Sequence, residues 1–252
     1  MVNFFSLSSC SDGNSFVLYT KPEELILIDA GISFKKTKKL LESKSLSIEN
    51  VKSIVITHFH KDHYFGLGTI LKRIPTINLY FNDNYTSHFT DYPFKRHFTF
   101  ENTFQVLDFN FFPFQIDHDM LNSGFIITYN DSKIGFLSDM GKFDDKLSSF
   151  LKDVKLLAIE SNHSKEGLHN SKYSDDLKER ILSEKGHLSN DDTAKVIEKV
   201  YNSNIKYILL HHLSKRTNSL QFVQNEVVSR FSFPETKFVI SPYDSPSETI
   251  TL

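Results

Sequence analysis

Three histidines and an aspartate fall within the six residues that follow Thr57 in Thr57-His58-Phe59-His60-Lys61-Asp62-His63, directly after the apolar run Ser53-Ile54-Val55-Ile56. The run reads as a buried strand. Where a strand ends, alternate residues point to one side, so His58 and His60 can offer two neutral imidazole nitrogens to one divalent ion. Asp62 and His63 follow in the turn toward the next helix, where they can face a second ion a few ångströms away. Paired cations about 3.5–4 Å apart clamp the attacking and leaving oxygens in phosphoester hydrolysis. The chemistry to expect is metal-assisted hydrolysis; the plain alternative is a surface loop that is merely rich in histidine.

The surrounding pattern supplies elements to carry such a loop. Strand signals open the chain at Phe4–Leu7, Ser15–Tyr19 and Leu25–Ile28, with a turn-rich loop expected over Ser8–Ser15. Phe34–Leu41 reads as a helix with Phe34 and Leu41 inward and Lys35, Lys36, Lys38 and Lys39 outward, a solvated face rather than a phosphate grip. A short helix over Gly66–Arg73 should stop before Pro75. Further strands are expected at Thr76–Phe81, over Phe104–Ile116, and as a hairpin of Ser123–Tyr129 and Lys133–Leu137. Leu156–Ile159, Lys206–Leu210 and Phe238–Ile240 read as later strands. Helices are expected at Asp191–Tyr201, with Ser189 and Asp192 as a capping box, and at Leu220–Phe231. The phenylalanines crowded into positions 89–114 read as core; a stacking platform for bases is the sharper reading of the same residues. His88 and His97 read as surface or loop residues.

Composition sets wider bounds. The chain has 252 residues, 39% hydrophobic and 24% charged, with no Pro/Gly/Ser-rich linker, and reads as one domain over residues 1–252. A formal net charge of -2 leaves any nucleic-acid contact to a local basic patch. The lone cysteine, Cys10, permits no internal disulfide, fits a reducing cytoplasm and reads as a packed loop residue. The N-terminus lacks a basic and then apolar leader, and no run approaches 18 apolar residues, so neither secretion nor a membrane span is expected.

The HxHxDH pattern after an apolar strand resembles the metallo-β-lactamase superfamily. The likeness continues through Glu160-Ser161-Asn162-His163, Leu177-Lys178-Glu179-Arg180-Ile181-Leu182, Gly186-His187-Leu188-Ser189-Asn190, and His212-Leu213-Ser214 with Asn218, which are similar to the exonuclease-like YycJ/WalJ branch. The resemblance implies an α/β fold, a four-layered αββα sandwich, holding two divalent ions, zinc or manganese, at the edge of its sheets. It implies that His118 joins His58 and His60 on one metal, that Asp139 bridges both, and that a histidine before Leu-Ser joins Asp62 and His63 on the second. His211 and His212 are adjacent on a strand end, so one of them can reach; the family pattern selects His212. His187 resembles the histidine that superfamily phosphodiesterases use near the scissile phosphate, though it could merely hydrogen-bond its own loop. Glu160, Asn162 and His163 could hold ligand imidazoles in place.

The implied activity is a phosphodiesterase, first a DNA exonuclease acting through a metal-bridging hydroxide with Asp62 and His187 as catalytic groups. A cyclic-nucleotide phosphodiesterase and a ribonuclease are the alternatives among hydrolases. A flavodiiron-type redox pair and a binding protein with purely structural metals are alternatives of other classes; an open coordination position argues against the last. Monomer and homodimer remain equally open.

Overall fold

The computed structural model describes every residue except Thr90. The chain builds two seven-stranded sheets in succession. The first contains β1 (Asn3–Cys10), β2 (Gly13–Tyr19), β3 (Leu25–Ile28), β4 (Val51–Val55), β5 (Asn78–Asn82) and β6 (Lys95–Phe98). The second contains β7 (Phe104–Val106), β8 (Phe109–Ile116), β9 (Asn122–Tyr129), β10 (Ser132–Leu137), β11 (Leu156–Glu160), β12 (Tyr207–His211) and β13 (Lys237–Ile240). The last strand, β14 (Ile250–Thr251), returns to pair with β1 in the first sheet. Each sheet begins antiparallel and turns parallel, from β3 to β6 in the first and from β10 to β13 in the second.

Alternation along the strands sorts the side chains into layers. Leu25 and Leu27 face α1 (Phe34–Glu42) and α3 (Leu67–Arg73), while Ile26 and Ile28 face the second sheet. Both faces of the central strands are therefore apolar, as expected for strands covered on both sides. Between the two sheets lie Phe4, Phe16, Phe98, Phe109, Phe111, Phe125 and Phe136. Phe98 and Phe104 stack with centroids 4.7 Å apart. Of the phenylalanines in positions 89–114, the buried rings are core, whereas Phe94 is exposed and the side chain of Phe89 lies outside the described residues. The outer layer of the second sheet is α7 (Asn190–Val200) and α8 (Leu220–Glu226), packed on Leu157, Ile159, Ile208 and Leu210. The remaining helical turns are α2 (Lys61–Tyr64), α4 (Leu147–Phe150), α5 (Lys165–His169) and α6 (Asp175–Leu182). Among the described residues no helix is long and apolar enough to cross a membrane.

Some local expectations are corrected. The expected loop over Ser8–Ser15 is two strands meeting at Ser11-Asp12, so Cys10 ends a strand and is fully buried. Thr76–Phe81 is displaced to Asn78–Asn82, while the alternation over Phe104–Ile116, which fits one long strand or two, resolves as two, β7 and β8. The helix expected over Leu220–Phe231 stops at Glu226, and Val228–Arg230 is a 3₁₀ turn. Val223 and Val227 are both buried, and the β-branched pair Val227-Val228 crowds the helical backbone where it docks. At α7, Ser189 Oγ accepts from the Asp192 amide, but the Asp192 carboxylate turns to the same hydroxyl rather than to the Ser189 amide. Half of the capping box is formed. In α1, Lys36 is partly exposed and ion-paired to Asp244 at 2.6 Å.

Candidate metal centre

The carboxyl ends of the parallel strands of both sheets open on one cleft. β3 delivers Asp29, β4 delivers the Thr57–His63 loop, β10 delivers Asp139, β11 ends in Glu160 and β12 delivers His212. Crevices outside the carboxyl ends of parallel strands are the usual ligand sites of α/β sheets. Asp29, Asp139 and His212 each follow their strand with φ of 62°, 55° and 57°. Left-handed backbone at a non-glycine residue is unfavourable, and here it turns each side chain out of the strand direction into the cleft. Gly31 permits the metal loop to close on β2: a Cβ there would lie 1.6 Å from the Asp62 carbonyl oxygen.

Three groups of candidate ligands result, each with its ligand atoms within 4.8 Å of one another: His58, His60, His118 and Asp139; Asp62, His63, Asp139 and His212; and Asp139, Glu160, His187 and His212. Asp139 belongs to all three, and the first two groups are built of His and Asp alone. His211 points the other way, its ring packed between Phe16 and Phe136.

Hydrogen bonds behind the rings assign the protons. Thr57 Oγ1 gives its hydrogen to Asp29 and accepts from His58 Nδ1 at 3.0 Å. His60 Nε2 lies 3.1 Å from Asp119 Oδ1. His118 Nδ1 donates to the Gly186 carbonyl at 3.2 Å. The inward nitrogens of the first group are then lone pairs: His60 Nδ1 stands 3.1 Å from both His58 Nε2 and His118 Nε2. Burial holds all three histidines below the ordinary imidazole value, His58 furthest, so they are neutral at pH 7. Three lone pairs converging on one point with no hydrogen between them suit a cation.

The second group is arranged differently. His63 Nδ1 donates to Asp29 Oδ2 at 2.7 Å, and His212 Nδ1 lies 3.2 Å from Glu160 Oε2. Their Nε2 atoms face carboxylates, His63 toward Asp139 at 3.3 Å and His212 toward Asp62 at 3.4 Å. Burial opposes charge on His212, yet Asp139, Asp62 and Glu160 outweigh it and raise its imidazole to about 10. His63 is likewise raised, and Asp62 and Asp139 are held low by these imidazoles. Without metal, protons on His63 and His212 balance the carboxylates. A cation replaces them on the same donor atoms. Both donor sets fit divalent ions, and a carboxylate with two oxygens suits the shared position.

Glu160 is buried and shared. Burial raises its carboxyl, but His187 and His212 outweigh that and hold it at about 2. One oxygen accepts the Met140 and Leu188 amides; the other faces His212 Nδ1 and, at 3.1 Å, His187 Nδ1. His187 thereby presents Nε2 to the cleft it lines. Asn162 donates to the His212 carbonyl at 3.0 Å. His163 is buried, and its ring has no hydrogen-bond partner among the described residues. Asp29, Thr57, Asp119 and Asn14, whose Nδ2 lies 3.2 Å from both Asp62 Oδ2 and His63 Nε2, are supports that sequence reading misses. The cleft, about 380 Å³, is also lined by Lys61, Tyr173, Arg180 and Lys185.

The family profile described as the beta-lactamase superfamily domain matches residues 24–212, a span that begins before Asp29 and ends on His212. The chain belongs to the metallo-β-lactamase superfamily. Within it, the chain is 32% identical over 256 residues to exodeoxyribonuclease WalJ of Streptococcus pneumoniae, covering 97% of this chain and 94% of the relative. It is 32% identical over 235 residues to exodeoxyribonuclease YycJ of Bacillus anthracis, covering 90% and 88%. In three dimensions it resembles the metallo-β-lactamase fold protein YhfI of Bacillus subtilis, with a TM-score of 0.76 over 99% of this chain and 98% of the other at 14% identity, which is a likeness of fold. The metallo-β-lactamase fold accounts for the paired sheets with helices outside them.

Proposed function

We propose that this chain is a metal-dependent phosphodiesterase that removes nucleotides from DNA ends in the cytoplasm, with two zinc or manganese ions. The observation that carries it is the pair of His/Asp groups joined at Asp139, in a chain alike along nearly its whole length to two exodeoxyribonucleases. His58, His60 and His118 hold one ion, Asp62, His63 and His212 the other, and Asp139 both. Both sheets supply these residues, so residues 1–252 work as one unit. When bound, the ions supply Lewis acidity: they ease deprotonation of water and offset charge on the phosphoryl oxygens.

The chain's own residues do the rest. Asp62, ionised and partly open to the cleft, orients the attacking water by accepting its hydrogen bond. His187, held through Nδ1 by Glu160, delivers a proton from Nε2 to the leaving oxygen. Glu160 fixes His187 relative to His212, keeping the proton donor in register with the second ion site. Lys61 and Lys185 add positive charge along the cleft, the local basic patch that a net charge of -2 requires.

The test is to offer the protein, with manganese, 5′-labelled duplex DNA, single-stranded DNA, RNA and cyclic mononucleotides side by side, with Asp139→Ala as blank. Stepwise shortening of DNA from its ends, absent in the blank, is expected. Turnover of cyclic nucleotides or RNA alone would overturn the substrate, and equal activity in the blank would overturn the site.

A further inference from the structure

The metal cleft continues past Tyr173 into a second hollow of about 400 Å³ lined by Asn170, Ser171, Lys172, Tyr173 and Arg216. Tyr173 belongs to both spaces. Its half-buried ring carries the Arg216 guanidinium at 5.9 Å from the centroid. Arg216 lies four residues after His212, on the loop that leaves the second ligand group. That loop is set by Ser214, whose hydroxyl accepts the Arg216 and Thr217 amides. The Tyr173 amide is likewise held by Ser171 Oγ. Among the described residues neither Lys172 nor Arg216 has a carboxylate in ion-pair range, whereas Arg180, in the metal cleft itself, is paired to Asp119. An aromatic face, a guanidinium above it and a neighbouring lysine, neither cation with a counter-charge, are the parts from which single-strand binding sites are made: a base stacks on the ring and the cations meet the neighbouring phosphates.

We propose that Tyr173 and Arg216 form a nucleobase subsite for a single-stranded DNA end, one step along the strand from the scissile phosphate; this rests on the nuclease reading above. An interior base of a duplex has both faces covered by its neighbours, so Tyr173 can take only a base with a free face, in an overhang, a frayed end or the last pair. Overhanging and frayed ends offer such a face to Tyr173 directly.

The probe is a set of phosphorothioate-linked single strands, resistant to cleavage, with 2-aminopurine at successive positions from either end, added with manganese to the full protein. Stacking on an aromatic ring quenches this base. Quenching at one position is expected, lost in Tyr173→Leu and kept in Tyr173→Phe, with the dissociation constant of the Leu variant raised about 5- to 100-fold. Arg216→Ala should weaken binding and reduce the slope of log affinity against log salt by about one. Far-ultraviolet circular dichroism and the thermal melting of each variant report that it has folded, and its metal content reports that the ligand groups have formed. Undiminished quenching in Tyr173→Leu, with binding intact by anisotropy, overturns the subsite alone. Failure of the unaltered protein to bind any strand by anisotropy overturns the nuclease reading together with it.

Discussion

His63 and His60 are each steered by an aspartate, in opposite surroundings. His63 and Asp29 are both 0% exposed, and Asp29 is itself gripped by the Thr57 amide and hydroxyl. His60 and Asp119 are 24% and 28% exposed, and Asp119 is held by Arg180, a residue of the cleft wall. One orienting bond is set by the packed core, the other by a surface ion pair open to solvent and substrate. A hydrogen bond whose partners cannot move keeps its geometry, while a surface ion pair contributes little and is screened by salt. The inner ligands are a fixed frame and the outer ones are adjustable, with Asp139 between them.

Removing Asp139 erases the distinction, and it should have the largest effect. Asp139→Ala is expected to lose about a thousandfold or more in turnover, with metal stoichiometry by elemental analysis falling at both groups. Asp29→Asn should come next, with roughly 10- to 100-fold weaker retention of metal against a chelator, whereas Asp119→Asn should lose less. Equal losses in the two variants would break the contrast. Smallest is Arg180→Gln, expected to cost a few-fold in turnover at low salt and nothing measurable at high salt.

The two groups should also differ in protons. The first is neutral before metal binds, so loading it releases none near pH 7; the second holds imidazolium that must give up its proton. Calorimetric titration in buffers of different ionisation enthalpy should therefore show proton release for the second group only. The same shift affects stability. The His212 imidazole is raised in the folded chain to about 10, so metal-free protein holds its full contribution below about pH 6.5 and loses it as pH rises toward 10. Thermal melting of chelated protein should fall across that window, and the fall should shrink in His212→Gln and in metal-loaded protein.

How far the sequence could be read follows the same divide between local and distant. The Thr57–His63 loop is contiguous, so its spacing alone points to metal chemistry. His118, Asp139 and His212 stand alone at strand ends, and family resemblance was needed to join them. Asp29 was available by the same signal, a carboxylate directly after a short apolar strand, but nothing local says that it faces His63, 34 residues away. Asp119 is adjacent to His118 yet serves His60, a pairing that depends on how the sheets meet. Ser8–Ser15 looked like a loop because serine, glycine and asparagine favour turns. There tertiary contacts win: Ser6 Oγ meets Ser241 Oγ at 2.6 Å, and Ser9 Oγ accepts the His212 amide at 2.8 Å, so buried hydroxyls find partners inside a strand.

The dispersal of the ligands also orders events during synthesis. The two candidate groups share no complete set within the first sheet: the first waits for His118 and Asp139 from the second, and the other waits for His212. A growing chain that has already made its histidine-rich loop can hold a cation there only loosely. Its hydrolytic capacity arrives late and all at once, when β12 joins β11 and brings His212 to the cleft.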